Sequence, residues 1–357
     1  MSVKRALARL LHPIEKTVDR VKHRPADAPL IEPYLGYATP ETVVLRGRIL
    51  GRQRRGAPKP DQGRWANFKQ MLALFATDEV ADVAVATRDT VGISDEEGYF
   101  VLIIPRDDGM SGWIRVEAWL PDTPEETATL EALVPPAHAA FGIISDIDDT
   151  VLETGAYSLA RNLWTSLTGN ALTRRVFPDS IALIDALHGG KNPVYYVSSS
   201  PWNLFHFLRT IFDRTGLQKG PMFLRDLGLS ETQFISGTHG DHKGAAIEQI
   251  LNTHPDLPFV LIGDTGQHDA QVYLDAAKRH PAQVKRVILR EPGPGPDTKS
   301  KDAIEKLRKL GVRVDTGQDF TQLPDLDGQR AGTWQADADT TKPSAPKRKV
   351  SAASAFR

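Results

Sequence analysis

The chain has 357 residues, with 44 Lys and Arg against 45 Asp and Glu, so its formal net charge is −1. This balance gives no overall positive field for nucleic acid, and the absence of Cys excludes disulfides, thiolate zinc sites and thiol nucleophiles. The sequence has no apolar run that could span a bilayer and no apolar stretch of a signal peptide, which favours a cytoplasmic protein.

The first segment, residues 1–30, is predicted to be a basic amphipathic helix over residues 1–24 followed by a proline-rich linker. Its apolar residues recur at three- and four-residue steps, and its basic residues lie largely off that stripe. Such a helix either lies at the periphery of an anionic membrane surface or packs on its own protein. The sequence leaves both possibilities open, with packing the commoner of the two.

Residues 31–138 have the alternating apolar period of β-strands. The predicted strands are Glu41–Leu50, Val80–Thr87, Trp113–Leu120 and two more on either side of a turn at Asp95–Gly98. Several short strands with turn signals predict a small all-β, sandwich-like domain. No constellation of acids, His or nucleophiles is present in this region, so a binding or structural role is expected.

Beyond residue 139 strands alternate with helices, which is typical of a parallel α/β sheet. Strands are predicted at Phe141–Ile147, Pro193–Ser198, Pro221–Leu224, Pro258–Gly263, Val284–Leu289 and Val312–Val314. Helices are predicted at Asp179–Leu187, Asn203–Thr215, Lys243–Thr253, Asp269–His280 and Lys299–Leu310. Ligands of such sheets bind at the carboxyl ends of the strands, so polar residues there are the candidates for a site.

The first of these strands runs directly into a cluster of acids, Asp146, Asp148 and Asp149. Two neighbouring carboxylates repel each other, so they need a cation between them or one of them must hold a proton. Both arrangements are chemically useful, because a carboxylate can be a nucleophile, a carboxylic acid a general acid, and a divalent ion can bind between them. An acidic turn without a function is the alternative, and this stretch alone does not decide.

The second strand ends in three serines, Ser198, Ser199 and Ser200, with Trp202 and Asn203 just beyond. Hydroxyls and backbone amides at a junction between strand and helix suit a phosphate, which needs hydrogen-bond donors. Ser and Asn are also favoured as helix N-caps, and this alternative stays open.

Two later stretches add a cation and two more acids. Lys243 opens a predicted helix, where it opposes the helix dipole unless an anion is bound; a solvent-exposed Lys is the alternative. Asp264 and Asp269 follow a further apolar strand, in a turn whose Gly263 and Gly266 allow the backbone to approach a ligand closely. A glycine-rich turn with Asp269 as an N-cap is the simpler interpretation.

Together these stretches resemble the four motifs of the haloacid dehalogenase (HAD) superfamily of phosphatases, namely Asp146-x-Asp148-x-Thr150, Ser198, Lys243 and Gly263-Asp264-x-x-x-x-Asp269. The strings D-I-D-D-T-V-L-E-T-G, V-S-S-S-P-W-N-L and G-D-T-G-Q-H-D-x-x-x-Y are similar to those of the catalytic domain of the actin-patch-associated phosphatidate phosphatases. The resemblance covers about residues 139–320. It implies a HAD-like, doubly wound parallel sheet for a catalytic domain at residues 139–324.

The resemblance also implies a role for each matched residue. Asp146 is then the nucleophile that forms a phosphoaspartate, Asp148 the general acid and base, and Lys243 the neutralising cation. The implied substrate-binding residues are Thr150, Ser198, Ser199, Ser200, Trp202 and Asn203, with Ser198 and Ser199 as alternatives for the phosphate donor. The implied ligands of Mg²⁺ are Asp146, the carbonyl of Asp148, Asp264 and Asp269, the last as a ligand or as the support of one.

The implied activity is a Mg²⁺-dependent hydrolysis of phosphatidate to diacylglycerol, with a phosphorylated lipid and an anionic membrane surface as partners. A phosphatase for a soluble phosphomonoester or a phosphoprotein is one alternative, and a non-catalytic membrane- or partner-binding module is another. The segment Glu153–Pro178 leaves no room for a large cap domain, and its apolar Trp164 either suits a bulky substrate or packs beneath the loop. Residues 325–357 are predicted to be a disordered polar tail.

Overall fold

The computed structural model describes residues 29–51, 80–153, 175–225, 239–293, 295–321 and 323. Three predicted segments lie outside the described residues: the N-terminal basic helix, the apolar segment around Trp164 and the polar tail. The described ranges contain two sheets, of seven and of six strands. Within these ranges, no helix combines the length and the apolar character needed to cross a membrane.

The N-terminal sheet, here called the β-module, spans residues 30–134. Its strands are β1 (Leu30–Ala38), β2 (Thr42–Leu50), β3 (Ala84–Ala86), β4 (Val91–Ile93), β5 (Tyr99–Pro105), β6 (Gly112–Leu120) and β7 (Thr123–Val134). They pair in the order β4-β3-β6-β7-β1-β2-β5, and all pairs are antiparallel except β1 with β7. Alternating side chains such as Leu45, Leu102 and Leu130 are buried in one apolar cluster.

This pairing corrects the predicted sandwich, because all seven strands form a single sheet. The strands β1 and β7, which the sequence did not predict, pair with each other. They join the strands β4, β3 and β6 on one side to β2 and β5 on the other. The end strands also approach each other, since a Cβ atom on Gly92 of β4 would lie 2.7 Å from Leu102 Cδ2 of β5. The sheet is therefore curled and nearly closed. Alternation reports which face a residue occupies, but not which strands pair, and so could not distinguish the two architectures.

The second part, here called the α/β module, spans residues 141–321 and contains six parallel strands. They are β8 (Gly142–Asp146), β9 (Val194–Pro201), β10 (Met222–Arg225), β11 (Phe259–Asp264), β12 (Val284–Arg290) and β13 (Arg313–Gly317). The order is β10-β9-β8-β11-β12-β13, so the chain starts at the centre, moves to one edge and then builds the other side. The carboxyl ends of β8 and β11 meet where this direction reverses, which is the position where open α/β sheets bind ligands.

The helices of this module are α1 (Pro178–His188), α2 (Phe205–Thr215), α3 (His239–Thr253), α4 (Asp269–Arg279) and α5 (Thr298–Lys309). Buried residues of α1 and α2 share a cluster with Ile143 of β8, whereas those of α3, α4 and α5 share another with Ile144. Adjacent strand residues point to opposite faces, so helices cover both faces of the sheet and explain its continuous apolar strands. Because α3 begins at His239, Lys243 lies in its second turn, where the predicted effect of the helix dipole is weaker.

The two modules pack against each other. Tyr34 and Leu35 of β1 belong to the same apolar cluster as α2, and Tyr37 belongs to the cluster of α3. Arg46 of β2 donates a hydrogen bond of 2.7 Å to the carbonyl of Met222 on β10. The β-module is therefore fastened to the α/β module at α2, α3 and the edge strand β10.

Candidate functional site

A buried lysine joins two of the predicted acids at the carboxyl edge of the parallel sheet. Lys243 Nζ lies 2.7 Å from Asp146 Oδ1 and 2.6 Å from Asp269 Oδ1. Asp146 ends β8, Asp269 begins α4, and all three side chains are almost completely buried. The structure thus brings together three residues that lie far apart in the sequence.

The charges in this cluster act strongly on one another. Burial raises the pKa of Asp146 well above its usual range; Lys243 opposes this shift, and the carboxylates of Asp269, Asp264 and Asp148 reinforce it. Burial alone would lower the pKa of Lys243, but the charges of Asp146, Asp269 and Asp264 outweigh it and raise that pKa. Lys243 is therefore a permanent cation, and the acids around it are in excess.

The acids fit a divalent cation. Asp146, Asp264 and Asp269 each offer a carboxylate oxygen, and these oxygens lie within 4.8 Å of one another. Asp146 Oδ2 and Asp264 Oδ2 are buried and accept no hydrogen bond from the described part of the chain. Buried carboxylate oxygens without a donor are costly, and a hard cation such as Mg²⁺ would satisfy them.

Asp269 differs from the other two acids because both of its oxygens are engaged. Oδ1 contacts Lys243, and Oδ2 accepts a hydrogen bond of 3.1 Å from the backbone N–H of Asp264. The remaining oxygen of Asp264, Oδ1, accepts the backbone N–H groups of Gly266 at 2.6 Å and Gln267 at 2.9 Å. Asp269 therefore orients Asp264, and whether it also binds the metal directly stays a prediction.

The serines at the end of β9 face the second acid of the first motif. Ser198 Oγ donates a hydrogen bond of 2.7 Å to Asp148 Oδ2, and Ser200 Oγ donates one of 3.2 Å to the same oxygen. Strand alternation places Ser198 and Ser200 on one face and the intervening, half-buried Ser199 on the other. Asp148 is more accessible than Asp146, so this carboxylate lies on the outer side of the cluster.

The loop after β8 is held by two residues that sequence reasoning missed. Gln267 Nε2 donates a hydrogen bond of 2.8 Å to the carbonyl of Asp148, and Ser180 Oγ donates one of 2.6 Å to the carbonyl of Thr150. Thr150 itself is buried, and its hydroxyl finds no partner in the described ranges. Gln267 lies within the G-D-T-G-Q string that carries the family resemblance, but the sequence did not show that it binds the carbonyl of Asp148. No sequence signal pointed to Ser180.

Two backbone positions beside the acids are unusual. Asp149 has φ 57° and His268 has φ 71°, both in the left-handed region, in the loops that follow β8 and β11. Non-glycine residues are uncommon there and cluster at functional sites. The two loops that carry the acids thus share this conformational feature.

Trp202 and Asn203, both predicted to bind substrate, lie in the short 3₁₀ turn Trp202–Leu204 between β9 and α2. The Trp202 ring stacks on Tyr34 of the β-module, with centroids 4.6 Å apart. The β-module therefore touches the turn that directly follows the serines.

Comparison with known proteins shows what the α/β module resembles. Residues 141–291 match the family model described as "Phosphatidate phosphatase APP1, catalytic domain". The α/β module thus resembles the catalytic domain of a phosphoric monoester hydrolase, which confirms the resemblance predicted from the sequence.

Within this class the chain is similar to phosphatidate phosphatase APP1 of Saccharomyces cerevisiae, with 29% identity over 151 residues, 42% of this chain and 26% of that protein. An uncharacterized protein of Schizosaccharomyces pombe is 26% identical over 284 residues, 77% of this chain and 46% of that protein. The chain therefore spans less than half the length of either relative. A match over 77% of the chain necessarily extends into the β-module.

Among solved structures, a class C acid phosphatase from Bacillus anthracis with tungstate bound aligns with a TM-score of 0.28 and 15% identity. The alignment covers 57% of this chain and 80% of that chain. A likeness at this TM-score is too weak to bear on the fold or the function.

Proposed function

We propose that this protein is a Mg²⁺-dependent phosphatase that hydrolyses phosphatidate to diacylglycerol through a phosphoaspartate on Asp146. The observation that carries the proposal is the ion pair between Lys243 and the buried Asp146, beside an Asp264 oxygen that lacks a hydrogen-bond donor. The match of residues 141–291 to the catalytic domain of a phosphatidate phosphatase supports the choice of a phosphorylated lipid.

The chain's own residues supply the steps of the reaction. Asp146 attacks the phosphorus, and the leaving alkoxide takes a proton from Asp148. Asp148 then takes a proton from the water that hydrolyses the phosphoaspartate, which releases phosphate and regenerates Asp146. The hydroxyls of Ser198 and Ser200, which donate to Asp148 in this structure, turn to donate to the phosphoryl oxygens when substrate binds, with Ser199 as the alternative donor.

The remaining site residues are assigned to substrate and metal. Thr150, Trp202 and Asn203 line the substrate side in this proposal. Mg²⁺ would be held by Asp146, the carbonyl of Asp148 and Asp264, with Asp269 orienting Asp264. When bound, the ion neutralises charge on the transferring phosphoryl group, as Lys243 does from its own position.

The proposal extends to the architecture. The α/β module is a HAD-like, doubly wound catalytic domain over residues 139–324, and the strand order and the helices on both faces support this assignment. Residues 31–138, which contain the β-module, are assigned a structural role as a domain that packs on the catalytic one. Residues 1–24 attach the protein to an anionic membrane surface. Of the two possibilities for this helix, membrane binding suits a lipid substrate better than packing on the protein itself.

Release of inorganic phosphate from the purified full chain tests the proposal. Phosphatidate in mixed micelles is compared with soluble phosphomonoesters and a phosphopeptide, each with and without Mg²⁺. Turnover of phosphatidate should require Mg²⁺, and Asp146→Asn should lower it by at least about a thousandfold, because the variant lacks the nucleophile. Asp122→Asn is the control, since it removes the same charge from an exposed residue between β6 and β7.

The outcomes separate the levels of the proposal. Substantial activity of Asp146→Asn would disprove covalent catalysis through this residue. A clear preference for a soluble ester or the phosphopeptide would reject the lipid substrate and leave the phosphatase chemistry intact. No release from any substrate would favour the non-catalytic alternative.

A further inference from the structure

The turn that follows the serines is held by an aromatic residue of the other module. Trp202 lies two residues beyond Ser200, and its ring stacks on Tyr34 with centroids 4.6 Å apart and an interplanar angle of 15°. Tyr34 also contacts Phe205 at the start of α2, with a centroid distance of 4.6 Å. Because Tyr34 is only 3% exposed, this contact is enclosed within the interface between the modules.

An arginine of the β-module secures the same turn. The Arg46 guanidinium lies 5.0 Å from the centre of the Trp202 ring and 4.8 Å from that of Phe223. Its Nε donates to the carbonyl of Leu35 at 2.8 Å, and its Nη2 donates to the carbonyl of Met222 at 2.7 Å. Burial lowers the pKa of Arg46 to about 10, so the group stays charged at neutral pH and can engage the aromatic rings as a cation.

A bulge in β1 directs two tyrosines at the α/β module. Residues three apart on a regular strand point to opposite faces, but the pairing of β1 with β2 shifts register between Tyr34 and Tyr37. Gly36 occupies the bulge, where a Cβ atom would lie 2.1 Å from the carbonyl oxygen of Val44. Tyr37 accepts a hydrogen bond from Gln249 on α3, the helix that carries Lys243. The bulge thus lets one strand brace two elements of the candidate site.

We infer that Tyr34 is a positioning residue for the phosphate-binding serines, an inference that rests on the proposed phosphatase function. By stacking on Trp202, Tyr34 fixes the turn at Pro201, and this turn fixes the end of β9, from which Ser198 and Ser200 reach Asp148. The β-module completes the geometry of the active site without contacting the reacting atoms.

The experiment measures kcat, KM and the inhibition constant for inorganic phosphate with a soluble phosphomonoester, using the full chain. Tyr34→Ala should lower kcat/KM and weaken inhibition by inorganic phosphate, each by roughly tenfold, because displacement of positioning groups by a fraction of an ångström is costly. Tyr34→Phe keeps the ring and should restore both values. Tyr34→Leu, which keeps buried volume without stacking, replaces the alanine variant if that variant is insoluble.

Trp113→Ala is the matched control. Trp113 is another aromatic residue of the β-module at this interface, where Lys219 Nζ lies 4.1 Å from its ring centre, and it makes no ring contact with Trp202. The variant Trp113→Ala should leave the inhibition constant for inorganic phosphate unchanged. A purely structural role of Tyr34 would lower the folded fraction and hence kcat alone, with phosphate inhibition as in the wild type; that result, or identical behaviour of Tyr34→Ala and Trp113→Ala, would overturn the inference. A wild-type chain that releases no phosphate from either the soluble ester or phosphatidate in mixed micelles would instead defeat the proposed function, and the inference with it. If the wild type turns over phosphatidate alone, the same constants are measured with phosphatidate.

Discussion

At the scale of single residues, the candidate site holds one buried lysine against three buried carboxylates. Lys243 contacts Asp146 and Asp269, and Asp264 adds a third buried carboxylate next to them. Buried like charges raise the free energy of the folded state unless a counter-ion is bound. Lys243 supplies part of the positive charge that these carboxylates need. The two carboxylate oxygens without donors, on Asp146 and Asp264, mark where a further cation would bind.

This imbalance predicts that Mg²⁺ stabilises the folded protein independently of turnover. An ion that binds only the folded state adds about 2.7 kcal/mol to the free energy of unfolding at a concentration of 100 times its Kd. Asp264→Asn should reduce the shift in melting temperature caused by Mg²⁺, and it should stabilise the metal-free protein because it removes one of three repelling charges. Thermal unfolding with and without Mg²⁺ measures both effects, with Asp122→Asn at an exposed position between β6 and β7 as the control. An unchanged Mg²⁺ shift in Asp264→Asn would contradict the metal assignment.

Gly263 shows how closely the site is packed. A Cβ atom there would lie 2.6 Å from both Asp269 Oδ2 and the Tyr273 hydroxyl, which are buried. Gly263→Ala should therefore cost about 1–3 kcal/mol of stability, as overpacking does, and should lower activity by moving Asp269 away from Lys243. Gly244→Ala on α3, where no described atom lies within 4 Å of the new Cβ, should gain up to about 1 kcal/mol. Urea unfolding of the two variants compares them, and equal stabilities would refute this account.

Residues in motifs were predictable, whereas residues that hold the motifs were not. Asp146 and Asp264 end apolar strands and Lys243 lies in the second turn of α3, and the chemistry of these side chains can be inferred from the residue types alone. Ser180 and Tyr34 act through contacts with distant parts of the chain, and each on its own is compatible with an ordinary core or cap position. Their roles depend on which segments become neighbours, and local sequence does not encode that.

At the scale of elements, the parallel sheet was predicted strand by strand because most of its strands contain an apolar run between helices; the half-buried β13, with Arg313 and Asp315, is an exception. The strands β1 and β7 were missed for different reasons. Pro33 and Gly36 interrupt β1, so it resembled a linker, and β7 is rich in Glu, Ala and Thr with little apolar alternation. Pairing with neighbours overrides such weak preferences, since strand propensity depends largely on context.

Arg290 on β12 connects elements that no motif links. Its Nη2 donates to Asp179 Oδ2 at 2.6 Å and to Ser180 Oγ at 2.8 Å, at the start of α1. The guanidinium lies between the rings of Phe177 and Phe320, 4.1 Å and 4.3 Å from their centres. Because Ser180 in turn binds the carbonyl of Thr150, Arg290 ties the loop after β8 to the opposite half of the sheet.

Loss of this arginine should destabilise the protein strongly. Arg290→Leu leaves the mostly buried Asp179 without its ion-pair partner, which typically costs about 3–5 kcal/mol. Arg290→Lys keeps the charge but cannot reproduce the planar fork, so a smaller loss is expected. Urea unfolding measures both variants, and Arg308→Leu on the surface of α5 serves as the control. An Arg290→Leu variant as stable as that control would show that the network contributes nothing.

At the scale of the whole molecule, the two modules form a continuous structure. Aromatic residues of β1 pack in the apolar clusters of the α/β module. In the other direction, Lys219 of the α/β module forms an ion pair with Glu131 of β7, with 2.6 Å between Nζ and Oε2. Composition predicts a domain boundary near residue 139, which lies between the end of β7 and the start of β8. Interface contacts involve single residues spaced along strands, so no compositional change marks them. A boundary in sequence is therefore a poor guide to independence in the folded state.

The pH dependence of global stability should report His254, which is buried between β9 and β11. Its Nε2 lies 2.7 Å from the Tyr195 hydroxyl, and burial lowers its pKa to about 4 from the ordinary 6.5. Between these values the unfolded chain binds a proton that the folded chain does not, so the free energy of unfolding falls as the pH drops from about 6.5 to about 4 and is unaffected above that window. This difference in the pKa of His254 between the folded and unfolded states lowers the free energy of unfolding by about 2–3 kcal/mol between pH 7 and pH 4.5. Urea unfolding across this range should therefore show a shallower pH slope for His254→Gln than for the wild type, whereas the exposed His138→Gln should keep the wild-type slope. Parallel curves for His254→Gln and the wild type would mean that His254 accepts a proton in the folded state as readily as in the unfolded one.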